Sequence, residues 1–199
     1  ARPAAPIEVL DLSGTFAPPF AFRAALMRGE PSLQAVLGHL APAERAEAEV
    51  AAKRRPEGWW DWSLGRLAAK RAAGQLMAGA SGERPADAAL EVRKAEGGAP
   101  VMVVGDRLGP AISIAHVQGT AVAVAAPTGW RVGIDVERPA RLRDPQPFLA
   151  HVTTPEEWAG LGLAPDADAA ALVWAAKEAA SKALGTGLMG QPRLFAVSG

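Results

Sequence analysis

The sequence predicts a mixed chain of helices and short strands, filling one domain or two small halves. Three observations predict it. Short apolar segments between residues 90 and 137 alternate at period two, as half-buried strands do. Two longer segments, 61–77 and 168–184, carry helical spacing and end signals. A length of 199 residues, 49% apolar and 21% charged, is enough to bury a sizeable core.

Composition excludes several functions. Lys+Arg and Asp+Glu each total 21, so no global field argues for a nucleic acid or a membrane surface as partner. The absence of Cys excludes disulfides, thiolate zinc sites and a cysteine nucleophile, and it fits a cytoplasmic protein. The most apolar run, Ala111 to Ala126, is interrupted by His116, Gln118, Gly119 and Thr120, so it cannot span a membrane. The start, Ala1-Arg2-Pro3-Ala4-Ala5-Pro6, lacks a signal-peptide core and an initiating Met. This implies a chain that is processed or cut from something larger.

Residues 1–57 read as an irregular lead without evident chemistry. Within it, 7–12 form a short strand, Pro31-Ser32 opens a helix to Leu40, and Pro42 to Lys53 is helical. Asp61 caps a helix running to about Met77, whose buried stripe is Leu64, Leu67, Ala68, Ala72 and Leu76. Arg66 and Lys70 stand one turn apart on another face. Such like charges are either a solvated basic face or a seat for an anion such as phosphate. Strands follow at 90–94, 101–104 and 111–116, the last paired as a hairpin with 121–126 and ending on His116.

The next strand, 131–137, holds Val132-Gly133-Ile134-Asp135-Val136-Glu137. Asp135 and Glu137 project from one face roughly 7 Å apart by the strand rise. They are either two surface acids or a pair that shares a proton or holds a cation between them. Gly133 suggests close approach of a backbone or ligand.

A proline-punctuated basic loop with Arg138, Arg141 and Arg143 leads to an amphipathic piece at 148–152. Thr153-Thr154-Pro155-Glu156 then opens a helix. The last helix runs from Asp168 to Leu184 and stops at Gly185. It places Trp174, Lys177, Glu178, Ser181 and Lys182 on one broad face, with Glu178 and Lys182 ordered for an i,i+4 ion pair. A strand begins at 194–197.

Glu178 follows Asp135 by 43 residues, within Trp174-Ala175-Ala176-Lys177-Glu178-Ala179-Ala180-Ser181-Lys182. Together with Gly133-Ile134-Asp135-Val136-Glu137 this resembles the motif pair of the 4′-phosphopantetheinyl transferase superfamily. The spacing and the Asp-x-Glu form are similar to its larger, surfactin-synthetase-activating type. Ile112-Ser113-Ile114-Ala115-His116, Gly98-Ala99-Pro100, Leu64-Gly65-Arg66-Leu67-Ala68-Ala69-Lys70 and Thr153-Thr154-Pro155-Glu156 extend the resemblance over 42–197. Departures are Ala115 and Val117 where serines usually flank the histidine, Ala175 after Trp174, and few of the strands that usually follow 185–188.

The resemblance implies an α+β fold of two similar halves, here 58–128 and 129–199, about a pseudo-twofold axis. The second half would be short at its C-terminal strands. The implied reaction is Mg²⁺-dependent transfer of the phosphopantetheine arm of coenzyme A to a serine of an apo acyl or peptidyl carrier protein, with release of 3′,5′-ADP. Asp135, Glu137 and Glu178 would hold Mg²⁺, and Glu178 would also act as general base. Lys182, with Lys177 beside it, would bind the diphosphate, and Arg66, Lys70 and His116 the 3′-phosphate. Glu156 would support the metal shell, and the loop arginines would touch the carrier protein. The chain would be free-standing or part of a polyketide or fatty-acid synthase. A non-catalytic module binding coenzyme A or a carrier protein, and a structural synthase domain, are the competing readings.

Overall fold

The computed structural model describes residues 8–11, 22–55, 58–139 and 144–198. They form a mixed α+β protein with two small antiparallel sheets and six helices. The chain divides into two compact units, Ala1–Val132 and Gly133–Gly199.

Both sheets belong to the first unit. Strands β1 (Glu8–Asp11), β2 (Arg23–Arg28), β6 (Ala111–Val117) and β7 (Thr120–Ala126) pair in the order β1-β2-β7-β6. Strands β3 (Leu90–Lys94), β4 (Pro100–Val104) and β5 (Arg107–Leu108) form the smaller sheet. Within the lead, β2 pairs antiparallel with β7 and β1 antiparallel with β2, so both extend the main sheet. Helices α1 (Leu33–Leu37) and α2 (Pro42–Arg54) follow them.

Helix α3 (Trp59–Ser81) lies across the main sheet. Small residues allow the close approach. Every residue of β7, Thr-Ala-Val-Ala-Val-Ala-Ala, is buried, and α3 presents Ala68, Ala69, Ala72 and Ala73. A Cβ on Gly65 would come within 2.8 Å of Ile114 Cγ2. Leu64, Leu67, Leu90, Met102 and Met27 fill the remaining core, each fully buried Leu contributing about 1.5–3 kcal/mol.

Asp61 does not cap α3. The N-cap is Gly58, and Asp61 Oδ1 accepts the Gly119 N–H at 2.6 Å. That bond secures the β6–β7 hairpin, whose two turn residues, Gln118 and Gly119, both have positive φ. A two-residue turn needs this to match the twist of its strands.

The described part of the second unit is helical: α4 (Pro145–Val152), α5 (Pro155–Leu161), α6 (Ala167–Leu184) and one 3₁₀ turn, Pro192–Leu194. Thr154 caps α5 by accepting the Glu157 N–H, and Asp166 caps α6 by accepting that of Ala169. Gly185, at φ 71°, closes α6. The core is small: Leu149, Val152, Ala170 and Val173, flanked by Phe148, Trp158, Leu161 and Trp174. The Phe148 and Trp174 rings meet edge to face at 5.5 Å.

Two expected strands are not strands. Residues 131–138 join no ladder, and 194–197 begin as the end of the 3₁₀ turn. Alternation supplies two faces, but a strand also needs a hydrogen-bonding neighbour. No strand lies in the described part of the second unit to provide one. The segment at 133 is held instead against helix backbone. A Cβ on Gly133 would fall 1.8 Å from Ala179 O and 2.8 Å from Ala183 N. Only a glycine, facing alanines on α6, allows that contact.

Candidate functional site

The site grows from this glycine contact. With Gly133 seated on α6, Asp135 reaches the helix's last turn. Lys182 Nζ donates to Asp135 Oδ1 at 2.6 Å and to Ile134 O at 3.3 Å. The expected ion pair of Lys182 with Glu178 is thus replaced by one with Asp135. Asp135 is 9% exposed and Lys182 32%. The second Asp135 oxygen, Oδ2, is buried without a hydrogen-bond partner among the described residues.

Glu178 lies one turn before Lys182 on α6. Its carboxyl is raised above the ordinary range, first by partial burial and then by the Asp135 charge. Lys182 opposes the rise and Glu137 adds to it. Asp135, Glu137, Glu178 and Lys182 are therefore electrostatically one group, with the carboxylates short of positive charge. Among the described residues, no three His, Cys, Asp or Glu side chains are arranged to hold a metal ion. The cation actually on Asp135 is Lys182.

The chemistry of the set nonetheless suits a hard divalent cation. It offers carboxylate oxygens, a raised Glu178 and an orphaned buried oxygen on Asp135. Asp135, Glu137 and Glu178 are the residues that would hold it.

Lys177 is not available to a ligand. It is wholly buried, its Nζ donating to Glu157 Oε1 and to Phe195 O, each at 2.6 Å. Glu157 Oε1 also accepts the Val197 N–H at 2.8 Å. Lys177 and Glu157 together tie α5, α6 and the final segment. Glu156, singled out from the sequence, is exposed, and its carboxyl is lowered by its own backbone N–H and by Thr154. The structurally engaged acid is its neighbour. The sequence carries a signal for it: Thr154-x-x-Glu157 has capping-box spacing, one residue beyond Thr153-x-x-Glu156. Thr153 Oγ donates to Leu149 O.

In the first unit, Lys70 departs from its expected role. It is 0% exposed, and its Nζ donates to Glu44 Oε2 at 2.5 Å, to Asp87 O at 3.0 Å and to Leu90 O. Burial lowers its pKa against the pull of Glu44. All three donors are spent, which leaves none for a phosphate. Glu44 was missed by sequence reasoning. It also accepts the N–H groups of Ala41 and Val92, and its position three residues into α2 was the available clue.

Arg66 is differently placed. It stacks on Trp62, its guanidinium carbon 3.6 Å from the ring centroid, and donates to Glu47 Oε2 at 3.0 Å. Glu47 is itself largely exposed. Burial lowers the Arg66 pKa against the opposing pull of Glu47 and Glu44. Its Nε, 3.7 Å from Glu44 Oε1, makes no hydrogen bond among the described residues. His116 is exposed on β6 beside Gly65 of α3, the residue next to Arg66. Arg141 and Arg143 lie outside the described residues.

Residues 131–198 match the family model of the 4′-phosphopantetheinyl transferase superfamily. The match favours transferase chemistry of the phosphopantetheinyl kind in that stretch. It takes in Asp135, Glu137, Lys177, Glu178 and Lys182, and leaves Arg66, Lys70 and His116 outside it. No curated protein matches the chain. Among the described residues, no helix is long and apolar enough to cross a membrane.

Proposed function

We propose that the protein transfers the 4′-phosphopantetheine arm of coenzyme A to a serine of an apo acyl or peptidyl carrier protein, releasing 3′,5′-ADP. The observation that carries the reading is the Asp135–Lys182–Glu178 group, gathered inside the stretch that matches the transferase family. In the transfer, the serine oxygen bonds to the pantetheine phosphorus while the P–O bond to the departing ADP breaks. The task is mostly positioning and charge neutralisation. Mg²⁺ held by Asp135, Glu137 and Glu178 would neutralise the diphosphate.

Glu178 is the general base for the serine hydroxyl. Lys182 supplies positive charge to the diphosphate. Arg66 and His116 are assigned to the 3′-phosphate. The exposure of His116 on β6, beside the Arg66 turn of α3, supports that assignment. Lys70 and Lys177 act behind the site, holding α3 and α6 in place. The pseudo-twofold pair of halves, the cytoplasmic setting and the synthase context belong to the same proposal.

A second reading, coenzyme A or carrier-protein binding without turnover, is favoured by the lack of a metal-holding trio among the described residues. One assay separates the two. The protein is incubated with coenzyme A, Mg²⁺ and apo carrier protein, and the carrier is weighed by mass spectrometry. Addition of the phosphopantetheine mass by wild type, lost in Asp135→Ala and Glu178→Ala, is the expected result. Coenzyme A binding without transfer to any carrier would establish the binding module instead.

A further inference from the structure

We propose that Lys182 is a resident counter-ion that a divalent cation must displace from Asp135. Binding of the metal then frees the lysine to meet the diphosphate. The inference rests on the metal-dependent reading above and deepens it.

Asp135 is nine-tenths buried, and a carboxylate so placed needs a countercharge. Lys182 provides it at 2.6 Å through Oδ1, while Oδ2 has no partner among the described residues. The carboxylate is therefore neutralised but only half satisfied. An ammonium and a divalent ion on the same carboxylate repel strongly in such a partly desolvated place. The two occupancies are thus alternatives.

Lys182 is built to leave. It is the more exposed partner of the pair, on a flexible stem in the last turn of α6, three residues before the Gly185 cap. Lys177, wholly buried and bonded to Glu157 Oε1 and Phe195 O, has no such freedom. The arrangement makes metal entry and diphosphate capture one coupled event. Without metal, Lys182 is sequestered; with metal, its charge is released one turn from Glu178.

The test uses the metal-stripped full chain, with Mn²⁺ as probe and free Mn²⁺ read by electron paramagnetic resonance. Lys182→Met is expected to bind Mn²⁺ roughly tenfold more tightly than wild type, within the usual range of coupled binding. Adding Asp135→Asn to Lys182→Met should abolish the gain. Equal or weaker binding by Lys182→Met, with wild type still binding, overturns the displacement while the metal reading survives. No Mn²⁺ binding by either protein overturns both.

Should Lys182→Met fail to fold, the wild-type Lys182 ammonium is followed by nitrogen-15 resonance during a Mg²⁺ titration. A change of its resonance on saturation is expected. An unmoved signal with Mg²⁺ bound would refute the displacement.

Discussion

Gly133→Ala is the sharpest test of how the site is assembled. The added Cβ would meet Ala179 O at 1.8 Å and Ala179 C and Ala183 N at 2.8 Å. These are backbone atoms of α6, so no side chain can rotate aside. To reach ordinary contact, the oxygen separation must open from 1.8 Å to at least 3.4 Å. A displacement of that size carries Asp135 away from Lys182, whose 2.6 Å hydrogen bond does not survive it. Overpacking of this kind costs about 1–3 kcal/mol, and contact with rigid backbone puts the expectation at the upper end.

Gly160→Ala is the matched control. Gly160 lies in α5, exposed, with nothing within 4 Å of its Cβ position. The same added methyl there should stabilise by about 0.5–1 kcal/mol through helix propensity. Urea unfolding of both variants, alongside the carrier-protein transfer assay, gives the readout. Loss of stability and of transfer in Gly133→Ala, against a small gain in Gly160→Ala with transfer intact, is expected. Wild-type stability and transfer in Gly133→Ala would refute the claim that this glycine seats Asp135 on α6.

Other expectations concern charge. Glu178 holds its proton more tightly folded than unfolded, so its ionisation destabilises the fold as pH rises from the ordinary 4.5 through the raised value. In metal-free protein, Glu178→Gln should therefore be more stable than wild type at pH 8, by a few tenths of a kcal/mol for half-exposed like charges. The advantage should vanish below about pH 4.5; an equal advantage at pH 4 would contradict a carboxyl raised by burial and by the Asp135 charge. Glu44→Ala strands the buried Lys70 ammonium and two backbone N–H groups, and denaturant titration should find a loss of about 3–5 kcal/mol. Arg66→Ala should raise KM for coenzyme A far more than for its 3′-dephospho analogue, whereas Lys70→Met should lower stability without changing the ratio of the two KM values. A Lys70→Met effect confined to the 3′-phosphorylated substrate would return Lys70 to the site.

Much of the fold was legible because it is local. Periodicity marked α3, although its expected cap Asp61 is engaged elsewhere, and end signals marked α5 and α6. Ser32 and Thr154 cap their helices, Gly185 ends α6, and the β6–β7 hairpin lies where alternation and turn residues put it. The strand expected at 131–137 failed for a non-local reason. Alternation gives a segment two faces, but the ladder that makes it a strand depends on what lies beside it.

The candidate site divides the same way. Residue order alone singled out the acids and cations of a motif pair resembling that of the transferases: Asp135, Glu137, Lys177, Glu178 and Lys182. It also pointed to a close approach at Gly133. Tertiary structure decided which cations are free to act. Spacing places Arg66, Lys70, Lys177 and Lys182 on helix faces but cannot say what each face meets. Burial beside Glu44 and Glu157 spends Lys70 and Lys177 on holding the structure. Lys182 keeps a third of its side chain in solvent and a single carboxylate partner in Asp135. A charge on a helix acquires its role from the dielectric and the partners around it, and those come from segments distant in sequence.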